Sequence, residues 1–133
     1  MLVNFAKEAL TDEMGADAAI NDWKFVSFGT DVATSTLLTH TALVAEIVGG
    51  AYARLTATQQ EGTNPDTYKL TGTWTNESGG AETVGEIGLH DADAAGNLIA
   101  RQCHADTDFA SVVVSDDAQL VIDWQITFND DSE

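Results

Sequence analysis

The sequence predicts a mainly β protein: an antiparallel β-sandwich of six to seven strands, jelly-roll or immunoglobulin-like, with a short N-terminal helix. Three observations lead there. From Gly50 onward, apolar and polar residues alternate with a period of two, as they do along strands with one buried face. Short polar turns containing Asp, Asn, Gly or Pro separate these runs at regular intervals. Hydrophobic residues make up 44 % of 133 residues, enough apolar surface to close one core without disulfide staples. A single domain over residues 1–133 is therefore expected.

The elements follow in order. Leu2, Phe5, Ala6, Ala9 and Leu10 recur at helical spacing and Gly15 offers a stop, so residues 1–15 read as a helix. "DWKFVSFGT" reads as the first strand, ended by Gly29. "TSTLLTHTALVAEIVGG" fits either a loop with a helical turn or a short strand. "AYARLTATQQ" and "DTYKLTGTWTN" read as a hairpin around the Asn-Pro turn in "EGTNPD", with Tyr68, Leu70 and Trp74 on one face. "ETVGEIGLH" and "NLIARQCH" read as a second hairpin around "DADAAGN", and "FASVVVS" as a short strand. "AQLVIDWQITF" alternates most cleanly: Leu120, Ile122, Trp124, Ile126 and Phe128 face one way, and Gln119, Val121, Asp123, Gln125 and Thr127 the other. Residues 129–133 read as a solvated acidic tail.

Charge narrows the function. Asp and Glu number 22 against five Lys and Arg, a formal net charge of −17. Such a surface repels nucleic acid and anionic membranes, so neither is expected as a partner. In molar salt the screening length falls to about 3 Å and the self-repulsion largely vanishes. Acids scattered along a chain with scarce lysine and an intact apolar core point to adaptation to very high salt. Neither a secretion signal nor an apolar run of membrane-spanning length is visible, so synthesis in a cytoplasm without a signal peptide is expected.

The residues that usually carry chemistry mostly have plainer explanations. Asp91, Asp93 and Gly96 match part of a calcium loop, D-x-D-x-x-G. Ala95 stands where a third oxygen ligand belongs, and Gln102 where a bidentate Glu belongs. Asp91 and Asp93 are thus weak candidates for a cation such as Ca2+ or Mg2+, and a tight turn with positive φ at Gly96 accounts for the same residues. His90 and His104 lack the further ligands of a zinc site. Cys103, the sole cysteine, excludes an internal disulfide and reads as a small apolar strand residue. No glycine run is followed by the lysine of a phosphate loop, and no nucleophile stands at motif spacing from a histidine, so neither a catalytic site nor a cofactor is expected. Trp74 and Trp124 fall on faces that read as core. Counting outward from the "DADAAGN" turn with Leu89 opposite Leu98 places Glu86 opposite Arg101, a cross-strand ion pair.

The order of motifs resembles that of small virion proteins of tailed viruses, both capsid-decorating and tail-appendage types. The matching stretches are "KFVSFGT", "TALVAEI", "GGAYARL", "EIGL", "LIARQ" and "LVIDWQITF", in that order over nearly the whole chain. The resemblance implies a β-sandwich located in a virion: a capsid decoration or turret subunit, a trimer or pentamer of itself, seated on the major capsid protein or another virion protein. A tail or fibre component contacting the host is the alternative of the same class, and a small carbohydrate-binding sandwich that of a different one. The acidity departs from the family's usual surface and fits a virus of a salt-loving archaeon. Dilution below about 0.5 M salt is predicted to loosen the fold or its assembly; a melting temperature that stays flat or rises on desalting would contradict salt adaptation.

Overall fold

The computed structural model describes residues 23–47, 54–61 and 67–127. The expected helix at 1–15, Phe128 and the acidic tail lie outside them. Within them the chain is mainly β and sandwich-like, and every strand pair is antiparallel. The strands are β1 (Phe25–Gly29), β2 (Leu55–Thr56), β3 (Thr58–Glu61), β4 (Thr67–Thr75), β5 (Glu82–Val84), β6 (Glu86–His90), β7 (Leu98–Cys103), β8 (Val112–Val114) and β9 (Gln119–Thr127). They form a four-stranded sheet β2-β1-β6-β7, a three-stranded sheet β3-β4-β9 and a ribbon β5-β8.

Two runs that alternate like single strands are each two strands. "AYARLTATQQ" divides at Ala57 into β2, in the four-stranded sheet, and β3, in the three-stranded one. Ala57 donates its N–H to the Lys24 carbonyl instead of to a ladder (2.8 Å). "ETVGEIGLH" divides at Gly85, whose N–H goes to the Gly29 carbonyl (2.9 Å) and whose carbonyl accepts from His104 (2.8 Å). A Cβ at Gly85 would strike the Asp31 carbonyl, so only glycine lets the chain cross there. A period of two reports the pleat and not which sheet the strand joins.

The core lies between the two larger sheets. Val26 and Phe28 of β1 and Leu89 of β6 meet Leu70 and Trp74 of β4 and Ile122 and Trp124 of β9, all buried. Phe28 stacks on Trp74 with ring centroids 4.8 Å apart. β9 alternates as its sequence does: Ile122 and Trp124 are buried, Leu120 and Ile126 half-buried, and the residues between them exposed. Residues 34–47 form neither a helix nor a strand. They run as a loop tied to β1 by Thr30 N–H to Ala45 O (3.0 Å), Ile47 N–H to Phe28 O (2.8 Å) and a single bridge between Gly29 and Glu46. Trp74→Ala removes the ring that spans both sheets. We expect a loss of about 3–5 kcal/mol in urea unfolding, and a loss under 1 kcal/mol would contradict this account of the core.

Candidate functional site

Strand register decides which side chains share the second face of the four-stranded sheet. Ser27 lies opposite Gly88 and Gly88 opposite Arg101; Gly29 lies opposite Glu86 and Glu86 opposite Cys103; Phe25 lies opposite His90. These residues face away from the apolar core. In an antiparallel sheet that face is commonly solvated. Here Ser27, Glu86, His90, Arg101 and Cys103 are all at most 2 % exposed. The cover is the loop from Asp31 to Glu46, and its contacts are mostly polar.

Glu86 and Arg101 hold the centre, with Arg101 Nε 2.8 Å from Glu86 Oε2 and both side chains fully buried. The pair forms through a register other than the one counted from the turn. Leu89 faces Ala100 and His90 faces Leu98, which leaves Ile99 as the extra residue of a bulge. Arg101 therefore sits opposite Gly88 and reaches Glu86 on the diagonal. The bulge lets successive residues of β7 pack on different sides: Ile99 joins the main core, and Leu98 packs with Leu43 of the covering loop. Glycines make the space. A Cβ at Gly29 would collide with the Glu86 carboxylate, and one at Gly88 would come within 2.8 Å of Ser27 Oγ and 2.9 Å of His90 Nε2.

The remaining hydrogen-bonding capacity of the pair goes into the loop. Glu86 accepts from the N–H groups of Ala45 (2.7 Å) and Val44 (3.1 Å). Arg101 Nη1 donates to Thr34 O (2.9 Å) and Thr36 Oγ1 (3.1 Å), and Nη2 reaches Asp31 at 3.4 Å. Asp31 accepts in turn from Thr34 N–H (2.9 Å). At the rim, Asp106 accepts from Thr36 N–H (2.7 Å) and Asp108 from Cys103 N–H (3.0 Å). The Thr36 N–H, then the Thr36 and Ser35 hydroxyls, hold the Asp106 carboxyl well below the usual carboxylate range. Deeper in, His90 Nε2 lies 2.7 Å from Ser27 Oγ. Burial, helped by the Arg54 guanidinium, pushes the His90 imidazole down to about 4, so His90 is neutral at pH 7.

The turn that resembles a calcium loop is fastened from within. Asp91 accepts from Asn97 N–H (2.6 Å) and Asn97 Nδ2 (2.8 Å), so both its oxygens are engaged. Asp93 is exposed. The positive φ expected at Gly96 belongs instead to Ala95 (φ 53°). Gly96 is needed for space, because a Cβ there would lie 2.5 Å from Asp91 Oδ1. Arg54 clamps the same turn, bonding Ala92 O (3.0 Å) and Glu46 (2.9 and 3.3 Å).

Among the described residues, the potential ligand atoms that gather within 4.8 Å of one another belong to Cys103, Asp106 and Asp108, not to Asp91 and Asp93. The thiol lies 3.3 Å from Asp106 Oδ2 and 3.4 Å from Thr34 O, and the two acids already accept backbone N–H groups. Cys103 is thus a bonded member of the polar layer rather than a plain apolar strand residue. All three tryptophans, Trp23, Trp74 and Trp124, are buried, so none of them presents an exposed ring to a sugar.

The chain matches no family model, no curated protein and no solved structure.

Sequence reasoning finds the ion pair and misses the layer around it. His90, Thr36 and Asp106 carry no pattern that separates them from surface residues, since their burial depends on a loop that alternation does not describe. Asn76 is missed as well. Fully buried, it donates to Gly80 O and Val114 O (both 2.8 Å) and ties the end of β4 to β8.

Arg101→Met leaves the Glu86 carboxylate buried without its partner, and we expect a loss of about 3–5 kcal/mol by urea unfolding. Adding Glu86→Leu should restore part of that loss; an uncoupled pair, with additive costs, would contradict the geometry. His90 gives a pH dependence of fixed sign. Its folded pKa lies below the ordinary value near 6.5, so between about 4 and 6.5 the unfolded chain binds the extra proton. The stability is fully present above pH 6.5 and is lost as pH falls through 4, by on the order of 2–3 kcal/mol. His90→Gln should flatten that slope in unfolding midpoints measured across the range; an unchanged slope would assign it to other groups.

Proposed function

We propose that this chain is a structural subunit of a tailed-virus particle, a capsid decoration or turret protein that works as a self-associating, salt-tolerant part with no reaction of its own. One observation carries the reading. The groups best suited to chemistry, Glu86, Arg101, His90 and Cys103, are buried and bonded within the fold, whereas large aliphatic side chains such as Leu37, Val44, Val113 and Val121 are exposed. A molecule arranged this way offers neighbours a fixed shape and apolar contacts. The virion assignment comes from the order of the sequence motifs, and the sandwich-like fold agrees with it.

Among the described residues, two surfaces are open to neighbours. One is the outer side of the covering loop. The other is the free edge of β9, which bounds an open groove of roughly 330 Å³ together with Ile87, Phe109 and Val112. An edge strand of this kind can also accept a strand from another chain. A tail or fibre subunit would use the same surfaces, and location in the particle distinguishes the two.

The test is composition and position in purified particles of the virus that encodes the chain. Mass spectrometry and electron-microscopic labelling should find it in a fixed ratio to the major capsid protein and on the head. Labelling confined to the tail would select the appendage reading, and particles lacking the chain would overturn both.

A further inference from the structure

We infer that the outer side of the 32–45 loop is the surface through which one copy of this chain meets a second copy. The inference rests on the reading of the chain as a self-associating part, and it names the contact.

Charge sets this loop apart. No Asp, Glu, Lys or Arg occurs between Asp31 and Glu46, and no other gap between charged residues in the chain is much more than half as long. Of the two flanking acids, Glu46 is paired with Arg54, and Asp31 shares Arg101 with Glu86. Two molecules that each carry a formal charge of −17 repel across most approaches. Over this patch they can come together with carboxylates only at the rim, at Asp31, Glu46 and Asp106. The competing surface along β9 is bordered by Asp108 and Asp123, and Asp116 and Asp117 lie in the turn that leads into it.

The loop also displays apolar side chains on a firmly held backbone. Thr36 and Leu43 are buried beneath it, while Val32, Leu37, Leu38 and Val44 are 40–56 % exposed above it. Leu37 and Leu38 stand at a tight turn closed by His40 N–H to Leu37 O (3.0 Å) and Leu37 N–H to His40 Nδ1 (3.3 Å). From below, the backbone is held by Glu86 at residues 44 and 45 and by Arg101 and Asp106 at residues 34 and 36. A surface ordered in advance loses little conformational freedom on binding.

The patch is, in addition, self-complementary. A partner of opposite charge would seek the carboxylates elsewhere on the surface, whereas an uncharged aliphatic patch matches itself about a two-fold axis. A single loop falls short of the roughly 800 Å² per partner of a standard interface, so the contact belongs to the weak class and gains from repetition in an assembly.

Sedimentation velocity of the full chain in 3 M NaCl, from about 10 μM to 1 mM, tests this directly. The wild-type protein should associate as concentration rises. Leu37→Asp and Leu38→Asp should each weaken association at least tenfold while leaving the far-ultraviolet circular dichroism and the melting temperature unchanged. Val121→Asp, on the exposed face of β9, should associate like wild type. Association that survives both leucine variants, or that Val121→Asp abolishes, overturns the inference and leaves self-association through another surface. A wild-type protein that stays monomeric throughout overturns it as well, and the virion reading then stands or falls on the particle experiment alone.

Discussion

The ion pair between Glu86 and Arg101 is the constraint on which the rest of the structure depends. Both side chains are fully buried, on the face of the four-stranded sheet that looks away from the apolar core. A charge in that position is tolerable only if it is paired and its remaining donors and acceptors are bonded. Those bonds go to the backbone at residues 34, 44 and 45. The pair therefore dictates where the covering loop runs, and the loop in turn keeps the pair dry. Gly29 and Gly88 belong to the same arrangement, because any side chain at either position would occupy the space of the buried polar groups.

In high salt the buried position becomes consequential. A surface pair such as Lys69 with Asp123, 2.9 Å apart but half open to solvent, is screened in molar salt. The buried pair is screened far less. For a chain with this excess of acid, electrostatics outside the fold are mostly repulsive and salt-dependent, and attraction is dependable only inside. The resulting molecule has two interior layers: an apolar one between the sheets centred on Phe28 and Trp74, and a polar one beneath the 31–46 loop. The loop above the second layer carries no Asp, Glu, Lys or Arg between residues 31 and 46 and exposes Val32, Leu37, Leu38 and Val44 beside Ser35, Thr39 and Thr41, which joins the internal chemistry to the proposed assembly role.

How much was legible in the sequence varied with the physical signal. Strand periodicity is local, so β4, β9 and the β6–β7 hairpin could be read directly from residues such as Leu70, Trp74, Ile122 and Trp124. Sheet membership is not local, so the breaks at Ala57 and Gly85 were hidden inside uniform alternation. The Glu86–Arg101 contact was reachable by counting from the turn, although the bulge at Ile99 shifted the register, and only the diagonal reach of arginine preserved the pair. The burial of His90 and Cys103 was not legible, because residues 31–46 have no period and their path is set by bonds to residues far away in the chain. The turn sequence places the positive φ at Gly96, the residue that most easily adopts it, yet Ala95 adopts it and Gly96 answers a steric demand.

The central claim is that Glu86 and Arg101 fix the covering loop as firmly as strand pairing fixes the sheet. Native-state hydrogen exchange at the amides of Val44 and Ala45, measured in molar salt, tests it most directly. Both should exchange as slowly as the amides of β6 and open only with the unfolding of the four-stranded sheet. Fast exchange at Val44 and Ala45 while β6 remains protected would show that the loop is merely draped over the sheet, and would contradict the account.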